Sequence, residues 1–349
     1  MTGERQPWMG CPHAGPSAHA GPSERGIGMD QTITTASMHR SEAWKRLRHS
    51  GDWRWYRRVA RIRDLAAHDV GRGSETLMTF SRADLFRAAR ALATGRTSRA
   101  LVVTGFYIPA ASEPAAESDG PVGAVEICAA LRAMGGDGWM VTDHWCRPVV
   151  SAAAKDAIPE DHVLIAPRDE GDFDSWMGSL RGLVRDHAID TVIYIERVGP
   201  SRDGEPKNMR GMNIRQWTAP LSRLTELGLH TIGVGDGGNE IGMGRIDPLP
   251  IEAVVDHGVQ IVCTVPTREL IIAGTSNWGG HALVCAMRAM GHDELDPFLD
   301  EAWHRDVLGA IVDAGGLDGV TLRNTPTVDG LSEDDYYATV RAMSVAAAR

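Results

Sequence analysis

Between residues 101 and 273 short apolar runs alternate with longer amphipathic stretches, and this alternation limits the chain to few architectures. The runs cover 101–108, 139–142, 163–166, 191–195, 231–234, 260–265 and 270–273. They are rich in Val and Ile, as strands buried on both faces are. Helix-like segments over 123–134, 173–187 and 216–227 separate them. Strands joined by crossover helices predict an α/β fold, a mainly parallel open sheet with helices on both faces. The predicted domain spans 100–345, and no internal repeat is apparent.

A helical N-terminal segment is expected over 39–99, packing on the main domain. Trp44, Leu47, Trp53, Val59, Ile62 and Leu65 punctuate a basic background there, which reads as a solvated helix face. Residues 1–38 are rich in Gly, Pro, Ser and His without apolar periodicity, the composition of a disordered leader; Met29 or Met38 offers a later start. A net charge of −10 argues against nucleic acid as a partner while allowing a small anionic substrate. No apolar stretch reaches the roughly 18 residues of a membrane span. Five scattered cysteines without a C-x-x-C pair read as reduced thiols, so the expected location is cytoplasmic. The sequence leaves a homo-oligomer open.

In an open parallel sheet ligands bind beyond the carboxyl ends of the strands, and here those ends are unusually polar. Thr104-Gly105-Phe106 follows the first run and leads to Glu117-Ser118-Asp119-Gly120-Pro121. Thr142-Asp143, Glu196-Arg197 and Ser276-Asn277-Trp278-Gly279-Gly280 follow three others. Six glycines among residues 233–244 surround Asp236, Asn239 and Glu240. Such a cluster is expected where a ligand touches backbone or the chain needs positive φ. It is neither a dinucleotide fingerprint nor a Walker A loop, and its two carboxylates favour a cation or an ammonium group over phosphate. Bland readings stand beside these: Asp119 as a helix cap, Glu196-Arg197 as an ion pair, and Asn208 to Asn213 as a surface loop capped at Asn213. Zinc-site spacings and a G-x-S-x-G elbow are absent from the sequence.

Taken in order, Thr104-Gly105-Phe106, Asp119-Gly120-Pro121-x-Gly123, Thr142-Asp143, Glu196-Arg197, Asn208-Met209-Arg210-Gly211, the 233–244 string and Ser276-Asn277-Trp278-Gly279-Gly280 resemble the D-glutamate cyclase family. The resemblance is to that family's C-terminal domain, over roughly 55–340. It implies closure of D-glutamate to 5-oxo-D-proline with loss of water. The chain departs from the family pattern at Pro206-Lys207, where aromatic residues often stand, at the segment Thr267-Arg268-Glu269, and at His281, where Tyr is common. A relative acting on another amino acid, or a non-catalytic α/β module binding a nucleotide or metabolite, is the alternative.

For the implied lactam closure, Glu196 is the first candidate for the base, with Asp236 and Glu240 as rivals. Arg210 suits the substrate carboxylate as a bidentate clamp. The backbone N–H groups of Gly237 and Gly238, with Asn239 or Asn277, suit an oxyanion pocket. Thr104, Gly105, Asp119, Asn208, Asn213, Ser276 and Gly279 complete the expected substrate site. Asp143, Asp236 and Glu240 are hard oxygen donors for Mg²⁺ or Mn²⁺ if a metal takes part, and no organic cofactor is implied.

Overall fold

The computed structural model describes residues 52–94 and 97–348, so the expected leader over 1–38 and the start of the helical segment lie outside the described residues. The helices are α1 (Asp52–Ala66), α2 (Ser74–Met78), α3 (Asp84–Ala93), α4 (Pro121–Ala133), α5 (Arg147–Ala154), α6 (Glu170–Asp186), α7 (Pro248–Val254), α8 (Gly258–Ile261), α9 (Ser276–Ala289), α10 (Glu301–Asp313) and α11 (Glu333–Ala348). The strands are β1 (Arg99–Val103), β2 (Tyr107–Ile108), β3 (Ala115–Ala116), β4 (Asp137–Asp143), β5 (Val163–Ala166), β6 (Thr191–Ile195), β7 (His230–Gly235) and β8 (Glu269–Ile272). Six of them form one sheet in the order β5-β4-β1-β6-β7-β8, parallel at every pairing, while β2 and β3 form a small antiparallel pair.

Period-two alternation divides each central strand between two faces. Leu101, Val103, Trp139, Val141, Val192 and Tyr194 pack with Phe173, Met177 and Leu180 of α6. The alternate residues Val102, Met140 and Ile193 are equally buried, and α4 lies against β1, β4 and β6. Helices α1, α3, α4 and α11 surround α9, which is buried along almost its whole length.

Three expectations fail for local reasons. The run 101–108 is not one strand, because it leaves the sheet at Thr104 and Gly105 adopts φ +106°. The segment 216–227 forms two 3₁₀ stretches, Arg215–Trp217 and Leu221–Leu227, since Pro220 between them has no N–H to continue a helix. The run 260–265 is no strand either: Cys263 N–H donates to Gly238 O at 2.9 Å and Thr264 N–H to Pro200 O at 3.0 Å, so loops take the bonds a sheet neighbour would need.

From β1 the chain builds outward through β4 and β5, then returns to β6 on the other side of β1. The order reverses between β1 and β6, where an open α/β sheet has its crevice. Thr104 and Glu196 stand just beyond those two carboxyl ends.

Candidate functional site

Two helices converge on this crevice. Gly123 of α4 and Gly280 of α9 touch backbone to backbone: a methyl on Gly280 would lie 2.7 Å from Gly123 Cα. The missing side chains let the two N-termini meet. Asp119, just before α4, therefore accepts the N–H groups of Ser276 and Asn277 of α9, both at 2.7 Å. Asn277 returns the link: its Oδ1 accepts from Gly120 N–H at 2.9 Å and Gly123 N–H at 3.0 Å, and its amide donates to Ser118 O at 3.0 Å. Asp119 is thus a cap, but of the neighbouring helix rather than of the one it precedes.

The glycine-rich turn after β7 folds around one of its own side chains. Glu240 accepts from the N–H groups of Asp236 at 3.0 Å, Gly237 at 2.6 Å and Gly238 at 2.7 Å. Gly238, at φ +99°, makes the turn that aligns these donors. Glu240 is 1% exposed, so the anion cradle of this loop is filled from within. The donors expected from Gly237 and Gly238 for an oxyanion point to Glu240 instead.

Between these two constructions lies a cavity of about 180 Å³, walled by Arg72, Glu117, Glu196, Asn208, Arg210, Asp236, Asn239 and Asp329, with Phe106, Tyr107, Ile108 and Met209 as apolar cover. Glu196 has φ +44°, an uncommon backbone for a non-glycine residue and of the kind that clusters at functional sites. Its Oε2 accepts from Ser276 Oγ–H at 2.6 Å. Arg72 bridges two walls, bonding Asp236 on one side and Asp329 on the other, the latter at 2.6 Å and 3.2 Å. Glu117 Oε1 is buried without a partner.

Burial, reinforced by the crowding of carboxylates, governs the electrostatics. Burial, then the charges of Glu240, Glu117 and Asp119, pushes the Glu196 carboxyl well above its ordinary range. Burial with Asp329 and Asp119 does the same to Glu117. Burial also raises Asp236, against the pull of Arg72, and with Asp329 pushes Asp119 up to about 8. Burial disfavours the Arg72 charge, but Asp236 and Asp329 outweigh it and hold that guanidinium firmly protonated.

Of the residues singled out in the sequence, Glu196, Asp236, Asn208, Arg210 and Asn239 line the cavity. Arg210 is exposed at its rim, whereas Asn208 accepts the N–H groups of Arg210 and Met212 at 3.0 Å each and shapes the turn that carries it. Asn239 donates to Lys207 O at 2.8 Å. Asn213 is exposed away from the cavity and caps Arg215, as the surface-loop reading had it. Gly279 packs against Val234, the Gly105 carbonyl accepts from Arg197 at 2.7 Å, and neither lines the cavity. Thr104 Oγ1 is buried without a partner beside Gly120.

The ion pair read for Glu196-Arg197 does not form: Arg197 bonds Asp143 at 2.7 Å, both fully buried. The metal set of Asp143, Asp236 and Glu240 is not assembled either, since Asp143 is taken by Arg197 and Glu240 by the loop. Asp119, Glu196 and Asp236 instead offer oxygens within 4.8 Å of one another. Arg72, Glu117 and Asp329 escaped the sequence reading. Glu117 lies two residues from Asp119 and belongs to a strand-end loop already noted, but nothing local marks Arg72 or Asp329. His281 sits away from the cavity, its Nδ1 2.8 Å from Glu126 Oε1 between α9 and α4.

Fold and site together define a doubly wound α/β protein with a carboxylate-lined cavity at its switch point. The chain belongs to the D-glutamate cyclase-like family: the family model described as D-glutamate cyclase-like, C-terminal, matches residues 62–344. Human D-glutamate cyclase, mitochondrial, is 33% identical over 215 residues, covering 58% of this chain and 34% of the relative. The chain therefore spans about a third of the length of that relative. No helix among the described residues is long and apolar enough to cross a membrane.

Proposed function

We propose that the chain is a lyase that closes D-glutamate, or a close amino-acid analogue, to 5-oxo-D-proline with loss of water. The observation that carries this reading is the charge arrangement of the cavity, with buried Glu117, Glu196 and Asp236 inside and the exposed Arg210 at the rim. An α-ammonium group complements the first set and a carboxylate the second. Family membership supports D-glutamate as the substrate to try first.

The reaction joins the α-nitrogen to the γ-carboxyl carbon and breaks one carbon–oxygen bond. Nitrogen gives up two of its three protons, and the departing oxygen leaves with two as water. Glu117 is the carboxylate free to carry the first of them, because its Oε1 has no protein partner. Confinement in a small cavity favours the folded substrate, and oriented intramolecular closures reach effective molarities of about 10⁵ M or more. A carboxylate is a poor electrophile until it is protonated or cation-bound.

Incubation with D- and L-glutamate, followed by mass detection of lost water, tests the reading. Loss from the D enantiomer is the expected result. Loss from neither would favour a second reading, a cyclase or amide-processing enzyme for another amino acid. Pro206-Lys207 is the observation behind it, since Lys207 O holds the cavity residue Asn239. A nucleotide-binding role loses its support because Glu240 fills the loop that phosphate would need.

A further inference from the structure

We propose that Glu126, His281 and His304 form a metal site apart from the cavity, holding one Zn²⁺ ion that ties α4, α9 and α10 together. One residue comes from each helix, and none of the three lines the cavity. All three are at most 1% exposed. One oxygen of Glu126 and one ring nitrogen of each histidine lie within 4.8 Å of one another. Two imidazoles and a carboxylate are a donor set that Zn²⁺ takes, with water completing the tetrahedron. Imidazole nitrogen also selects against Mg²⁺ and Ca²⁺.

The hydrogen bonds around the cluster leave its lone pairs over. A backbone carbonyl only accepts, so a ring nitrogen that meets one must carry the proton. His304 Nε2–H donates to Phe298 O at 3.1 Å and His281 Nε2–H to Val340 O at 3.3 Å. These outer bonds put the lone pair of each neutral ring on Nδ1, and a carbonyl behind the far N–H is how a ligating histidine is commonly fixed. His304 Nδ1 is buried without a partner, and so is Glu126 Oε2, which lies 3.7 Å from His304 Nε2. Buried polar atoms are rarely left so, and two in one cluster mark a missing partner. His281 Nδ1 faces Glu126 Oε1 at 2.8 Å, and the proton between them is released when the metal takes their lone pairs. Cys285, one turn on from His281, lies 3.4 Å from Nε2 at the other edge of the ring and stays outside the donor set. Glu126 stands one turn after Gly123, and His281 follows Gly280. The ion therefore clamps the helix crossing from which the cavity is built.

The intact chain, produced in zinc-supplemented medium and dialysed against metal-free buffer, tests this by elemental mass spectrometry and X-ray absorption at the zinc edge. One Zn²⁺ per chain is expected, with two imidazoles in its coordination shell. A chain that retains no zinc overturns the proposal, and so does a zinc shell without imidazole, the signature of an ion held by the carboxylates of the cavity. His304→Gln and Glu126→Gln should each weaken Zn²⁺ binding at least about tenfold, since loss of an outer partner alone costs that much. Competition with a chromophoric chelator measures this, and circular dichroism checks the fold. Unchanged affinity in both variants also overturns the proposal. Where a variant fails to fold, the zinc-edge spectrum of the natural chain decides.

Discussion

A carboxylate that receives three backbone N–H groups, as Glu240 does, is part of the loop's own structure. Removing it strands those donors in a buried place, so Glu240→Ala should destabilise the fold by roughly 2–4 kcal/mol, read as a lowered denaturant midpoint. Glu117 has no such structural bond at Oε1. Glu117→Gln should keep the fold and lower turnover of D-glutamate by about 10²-fold or more, as for loss of a proton carrier. Arg210→Lys is expected to raise KM with little change in kcat, because a point charge replaces a bidentate fork at the rim; steady-state kinetics separates the two effects. That the glycine string carries two acidic residues was legible from sequence. Their division of labour was not, since Asp236 and Glu240 differ only in which neighbours fold onto them.

At the scale of elements the site depends on how α4 and α9 cross. Gly280→Ala would press a methyl into Gly123 and separate the caps that join Asp119 to α9. Overpacking of this kind costs about 1–3 kcal/mol, so a lower Tm is expected together with reduced turnover. The Gly123 and Gly280 positions could be read from the sequence as glycines, but not as partners, because contacts between segments far apart in the chain leave no local trace. The parallel strands were legible as continuous Val- and Ile-rich runs. The 216–227 segment misled because its amphipathic spacing hid the break at Pro220, and 260–265 because an apolar run buried under a loop looks like one buried in a sheet.

Across the whole molecule the cavity gathers residues from 72 to 329, which is why the Arg72 guanidinium and one of its carboxylates were invisible to a reading of strand ends. The C-terminal wall depends on Asp318, which accepts from Val320 N–H at 2.9 Å, Thr321 N–H at 2.8 Å, Gly330 N–H at 2.8 Å and Thr327 Oγ–H at 2.7 Å. Burial works against its charge, yet these donors hold its carboxyl below the ordinary value of 3.8. A carboxyl lowered by folding contributes stability above its unfolded pKa and loses it as pH falls through the folded one. The stability gap between the natural chain and Asp318→Asn should therefore be full at about pH 6 and narrow towards about pH 3, measured by chemical denaturation at each pH. The tie from Arg72 to Asp236 and Asp329 also sets an order in time. A chain emerging from the ribosome has its sheet residues long before residue 329, and a chain ended before that residue carries the sheet sequence without the wall that Asp329 supplies to the cavity.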